Sequence, residues 1–200
     1  MYYEGADGHG LPFDPFKAII APRPIGWIST VDEKGRPNLS PYSFFSAMST
    51  RPHMIAFSSE GMKHTPRNAI ATGEFVFNLV TLPQLEAMNL SSAKLADGES
   101  EFDFADLEML QSKLVRAPRV AGSPVSIECR VVHSQELHDV DGKQTDQHFV
   151  VGQVMATHIN DNFVVDGRFD IVRAQTVARC GYRDYSSVSS VLELKRPDSG

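Results

Sequence analysis

Two prolines set the terms for the middle of this chain. The run Arg36-Pro37-Asn38-Leu39-Ser40-Pro41-Tyr42-Ser43-Phe44-Phe45 follows a strand-like segment, residues 24–31, and a tight turn at Asp32-Glu33-Lys34-Gly35, so it returns alongside that segment as the second arm of a hairpin. Neither Pro37 nor Pro41 has an N–H to give to a ladder. A segment built this way belongs at the edge or at a bulge of a sheet, where backbone groups are left for something else to meet. In the first arm, Ile25, Trp27, Ser29 and Val31 alternate with Gly26, Ile28 and Thr30, the period of a strand with two distinct faces. A third strand, residues 53–59, runs through a glycine-containing loop into Lys63-His64-Thr65-Pro66-Arg67-Asn68. That string has the grammar of a helix start, with Thr65 as N-cap and Pro66 in the first helical position. A lysine ahead of a hydroxyl-capped helix start suits an anion such as a phosphate.

The remainder repeats short strands and turns. Residues 74–80 read as a strand with Phe75, Phe77 and Leu79 on one face, and Val125, Ile127, Cys129 and Val131 alternate with Ser126, Glu128, Arg130 and Val132. Residues 147–159 and 163–165 are further strands, set off by turns at 139–142, 160–162 and Asp166-Gly167. One short helix is expected from Pro66 to about Thr72, stopped by Gly73, and another from a capping box at Thr81-Leu82-Pro83-Gln84 to about Leu90. Residues 99–110 mix Phe102 and Phe104 with acids and suit irregular structure packed on the barrel or on a neighbouring subunit. Residues 188–194 read as a last strand-like segment. The fold class is therefore mainly β: an antiparallel barrel with short helices, with residues 1–14 as a polar arm and residues 15–200 as one domain.

Composition narrows the function. A net charge of −6 with no Lys/Arg cluster argues against nucleic acid as a partner, and no apolar run reaches membrane-spanning length. The beginning of the chain has neither a basic nor an apolar leader segment, so a cytoplasmic location is expected. Cys129 and Cys180 lack C-x-x-C spacing, and the seven histidines form no ligand-spaced pair, so neither a disulfide nor a metal site is expected. There is no G-x-G-x-x-G, no P-loop and no G-x-S-x-G elbow. What stands out instead is the segment 38–45, which holds small polar side chains, freed backbone and aromatics but no acid, base or nucleophile. It suits gripping a flat heteroaromatic cofactor that supplies the chemistry itself.

Several strings occur in one order: Pro22-Arg23-Pro24-Ile25-Gly26-Trp27-Ile28-Ser29-Thr30, Asn38 to Phe45, Ser58-Ser59, Lys63 to Asn68, Phe75-Val76-Phe77-Asn78, Glu99-Ser100-Glu101-Phe102, Ser123 to Cys129, His148 to Val154, and Ala178-Arg179-Cys180-Gly181-Tyr182. In this order they resemble the flavin reductase-like family, FMN-binding split β-barrels of antiparallel Greek-key type. The resemblance implies FMN, with FAD as the alternative flavin. It places the phosphate at Lys63, Thr65 and the helix start, with Asn68 nearby, and the ring along Asn38, Ser40, Pro41, Tyr42, Ser43 and Phe44. The ring edge would lie near Ser58 and Ser59. His148 would stand beside the flavin and the nicotinamide of NAD(P)H, as the one catalytic-site candidate. A homodimer is implied, as is an acceptor that is a free flavin, iron or a monooxygenase partner. The alternative is an FMN-binding electron carrier or a non-enzymatic flavin-binding module. Where relatives often carry an acid between the lysine and the threonine, this chain has His64.

Overall fold

The computed structural model describes residues 1–96 and 98–197. Asp97 and the polar end 198–200 lie outside the described residues. Strands follow the chain as β1 (Arg23–Pro24), β2 (Gly26–Val31), β3 (Pro37–Tyr42), β4 (Phe45–Thr50), β5 (His53–Glu60), β6 (Glu74–Leu79), β7 (Met109–Leu110), β8 (Arg119–Val120), β9 (Val125–His138), β10 (Gln144–Ile159), β11 (Val164–Val165), β12 (Arg168–Phe169), β13 (Val177–Gly181) and β14 (Asp184–Ser187). Helices α1 (Phe16–Ile19), α2 (His64–Thr72), α3 (Leu85–Leu90) and α4 (Glu101–Phe104) fill the excursions between them. None of the described helices is long and apolar enough to cross a membrane.

Seven strands form the main sheet in the order β3-β2-β6-β9-β10-β5-β4, and every pairing in it is antiparallel. Pro37 and Pro41 thus sit on an edge strand, where a missing N–H costs no ladder bond. The two edges are consecutive in the chain, since only Ser43 and Phe44 separate β3 from β4. They are brought together by packing: a Cβ on Gly26 of β2 would stand 2.4 Å from the Phe45 ring of β4, and Phe45 stacks on Phe77 at 4.8 Å. The sheet therefore rolls up with a seam between β3 and β4, and Gly26 is the place where the closure needs a missing side chain.

The alternation in β2 separates two cores. Ile28 joins Tyr42, Phe57, Phe75 and Phe77 inside the barrel, while Trp27 joins Leu39, Met88 and Phe102 beneath α3 and α4. All six residues of β2 are buried because both faces are covered. Trp27 also donates its indole N–H to Ser91 at 2.9 Å, which satisfies the one polar atom of the largest buried side chain.

One strand is unforeseen and two expectations are corrected. The strand β4 has no clear sequence period, because Ser46, Ala47 and Ser49 lie on an exposed, bulged edge. Residues 188–194 are not a strand: regular pairing ends with β14, and Leu192 and Leu194 are more than 90% exposed, with no facing surface to reward alternation. Within the 99–110 segment, residues 101–104 are helical and not irregular, and of the two placements left open for it Phe102 takes the one within the chain, fully buried beside Trp27 and Leu39, while Phe104 stays half-exposed.

Candidate functional site

Where the seam opens, it leaves a cleft of about 1420 Å³ bounded by β3, β4, β5 and the start of α2. Ten of the residues singled out above line it: Asn38, Ser40, Pro41, Tyr42, Ser43, Phe44, Ser58, Ser59, Lys63 and Thr65. The hairpin geometry explains the gathering. Residues of β3 face β5 across the seam, and the Ser58 N–H donates to the Phe44 carbonyl at 2.8 Å, which fixes the connection against the opposite wall.

The floor is a buried polar network. The Thr65 hydroxyl donates to the Asn38 side-chain carbonyl at 2.7 Å, and the Asn38 amide donates to a Glu101 oxygen at 2.8 Å. The second Glu101 oxygen accepts the Leu39 N–H at 3.1 Å, so this carboxylate ties one end of the edge strand to α4. The Tyr42 phenol stands among Thr65, Ser59 and Ser40. Burial pushes its pKa up, the neighbouring hydroxyls oppose the shift, and the Glu101 charge adds to it, so Tyr42 remains a neutral donor and acceptor.

The helix start differs from expectation. α2 begins at His64, with Lys63 in the cap position and no side-chain cap bond. Thr65 is already inside the first turn, because its hydroxyl bonds the buried Asn38 carbonyl instead of the helix backbone. Lys63, Arg67 and the N–H end of α2 still converge on one end of the cleft. Five cations, Lys17, Arg23, Lys63, Arg67 and Lys94, line the cleft against Glu60 and Glu101, and the two oxygens of Glu101 are already engaged. Phe44 forms an apolar lip, 43% exposed, with Lys17 and Arg23 each 5.9 Å from its ring centre.

Two nominated residues lie elsewhere. Asn68 is buried behind the wall, donating to the Thr30 hydroxyl at 3.3 Å, which in turn donates to Asn38. It supports the floor and does not line the cleft. His148 is also absent from the lining, whereas its neighbours Gln147 and Phe149 are part of it. Strand alternation puts His148 on the side of the buried Val150 and of Gly152, whose missing side chain makes room for Phe75 and Cys129. The space beside Gly152 is filled by core, not by a ligand. Glu101, Arg23, Gln147 and Phe149 were not found by sequence reasoning. Arg23, Glu101 and Phe149 do stand in strings that carry the family resemblance, but nothing in the strings gave any of them a role at the site.

Comparison with known proteins defines the class. The crystal structure of nitrilotriacetate monooxygenase component B from Bacillus cereus superposes with a TM-score of 0.84 at 25% identity, covering 94% of this chain and all of that one. Flavoredoxin of Desulfovibrio vulgaris (Miyazaki F) shares the fold at a TM-score of 0.77 and 20% identity, covering 97% of both chains. The architecture is that of the split-barrel flavin reductases. The Bacillus subtilis protein YwrF is 32% identical over 92% of this chain and 94% of its own length. Residues 20–170 match the flavin reductase like domain, and the chain belongs to that family.

Proposed function

We propose that the protein holds FMN in the seam cleft and is an NAD(P)H-dependent oxidoreductase of the cytoplasm that delivers electrons to a free flavin, iron or a monooxygenase partner. The observation that carries this reading is the make-up of the cleft, with Lys63, Arg67 and the N–H groups of α2 at one end and a hydroxyl-bearing, partly apolar wall along β3. When bound, FMN supplies a ring that accepts hydride from the nicotinamide. Lys63, Arg67 and the first turn of α2 hold the phosphate dianion through charge-assisted bonds. Ser40, Ser58 and Ser59 would offer hydroxyls to a bound ring, and Pro41, Phe44 and Phe149 would shield it from water. The residues present fit the group, and the volume leaves room for a second ligand, since a drug-sized molecule needs only about 300–1,000 Å³. The similarity to a monooxygenase component supports electron delivery to a partner.

A second reading is a flavin-bearing electron carrier without NAD(P)H turnover. It is favoured by the position of His148, the residue expected beside the nicotinamide, outside the cleft. One experiment separates the two. Protein purified with FMN is expected to be yellow and to bleach with NADH or NADPH under nitrogen. A yellow protein that bleaches only with dithionite is a carrier, and a protein that takes up no flavin overturns both readings.

A further inference from the structure

A smaller cavity of about 340 Å³ continues from the cleft on the side away from α2, sharing Lys17, Arg23, Pro41 and Ser43 with it. Its charge is unusual. Arg23 of β1 and Arg179 of β13 are direct partners in the antiparallel register. Like charges placed opposite each other weaken a strand pair unless something compensates them. Among the described residues, neither arginine nor Lys17 forms an ion pair, and no acid lines the cavity.

Arg23 is only 7% exposed. One of its terminal nitrogens donates to the carbonyls of Lys17 and Ile20, while its Nε is buried with no hydrogen-bond partner. Arg179 is held ready from the other side: its guanidinium lies 4.3 Å from the Tyr185 ring centre and donates to the Tyr182 carbonyl. Two positioned guanidiniums and an exposed ammonium around an acid-free hollow define a receptor for an oxyanion.

We propose that this cavity binds the phosphate or carboxylate of the second substrate of the cleft. FMN carries one phosphate, and the α2 end is the place for it. The cations at the opposite end need an anion from another molecule, either the pyrophosphate of a nicotinamide dinucleotide or the carboxylate of an organic acceptor. The identity of that molecule as a redox partner rests on the proposed function; the anion site itself does not.

The test is calorimetric titration of the full chain, saturated with FMN, with inorganic pyrophosphate and separately with benzoate. At least one probe binds, and Arg179→Gln weakens it by about tenfold or more, the loss expected for one charge-assisted bond. Arg179→Lys recovers part of the affinity, and Lys17→Gln, at an exposed position that folding does not depend on, weakens it as well. FMN affinity is unchanged in Arg179→Gln. Pyrophosphate binding that NADH or NADPH displaces assigns the site to the dinucleotide, and tighter binding of benzoate assigns it to a carboxylate acceptor. Binding of neither probe, equal binding in Arg179→Gln and Lys17→Gln, or a loss seen only in Lys63→Ala overturns the proposal. If the chain takes up no FMN, Arg179-dependent pyrophosphate binding still upholds the anion site, while the flavin reading falls.

Discussion

Glu101 grips Asn38: the carboxylate accepts the Asn38 amide at 2.8 Å, and its other oxygen takes the N–H of the adjacent Leu39 at 3.1 Å. A carboxylate only 6% exposed is thus the clamp that sets where the edge strand β3 stands relative to α4. Glu101→Ala leaves two buried donors without partners. It is expected to lower the unfolding free energy by about 2–4 kcal/mol and to loosen FMN binding with it. Urea unfolding and flavin fluorescence quenching check the two effects. Wild-type stability in the variant would show that water replaces the clamp.

Lys63 and Thr65 give the most direct test of the cofactor's orientation. Lys63→Ala combined with Thr65→Ala is expected to remain folded but to lose FMN affinity by about two orders of magnitude, giving colourless protein after gel filtration. Retention of stoichiometric flavin would put the phosphate at another end of the cleft.

His148→Ala is expected to leave both the yellow colour and the rate of bleaching by NAD(P)H as they are, since the residue does not line the cleft. Gln147→Ala, which removes a lining side chain, is the contrasting variant. Stopped-flow absorbance under nitrogen compares them, and slower bleaching in His148→Ala alone would return the histidine to the site.

Glu128 carries a pH dependence away from the cleft. It is fully buried on β9, accepting the N–H groups of Lys113, Leu114 and Val115 and meeting the His158 ring at 2.5 Å. Burial opposes its charge, but the Lys113 N–H, the His158 ring and the Leu114 N–H outweigh burial and hold its pKa below the usual carboxylate range. A depressed carboxylate stabilises the fold fully above its unfolded pKa, about 4.3, and loses that contribution as pH falls through the lower folded value. Glu128→Gln is therefore expected to cost about 3 kcal/mol at neutral pH and to flatten the acid limb of stability below about pH 4.3. Melting temperatures from pH 7 to pH 3 decide it, and parallel curves for the two proteins would contradict the assignment.

Assembly gives a fifth expectation. β4 stands at the seam with four of its six residues exposed, a face that a second copy can cover. Light scattering is expected to report about twice 22.1 kDa. A monomer that holds FMN stoichiometrically would rule out a shared site.

The parts of the fold legible in the sequence are those that local rules dictate. Pro37 and Pro41 announced an edge, and the edge is where β3 lies. The alternation of β2 announced two faces, and two cores occupy them. What escaped depends on distant partners. Thr65 looked like a helix cap because its bond to Asn38 spans 27 positions. The opening expected beside Gly152 is taken by Phe75 from another strand, and no local pattern tells a core ring from a cofactor ring. β4 escaped because an exposed, bulged strand has no apolar period to display.

The seam joins the first and last strands of one ladder through only two residues, so the width of the opening is fixed by covalent reach and by Gly26, not by what fills it. Some side chains that line the cleft also hold the barrel shut, Phe45, Tyr42 and Glu101 among them, while Ser40, Phe44 and Arg179 have no such duty. Replacing Ser40, Phe44 or Arg179 alters what the protein accepts at little cost in folding, whereas enlarging Gly26 pries the walls apart. One scaffold of this kind can change its substrates by single steps while its thermodynamic stability stays put.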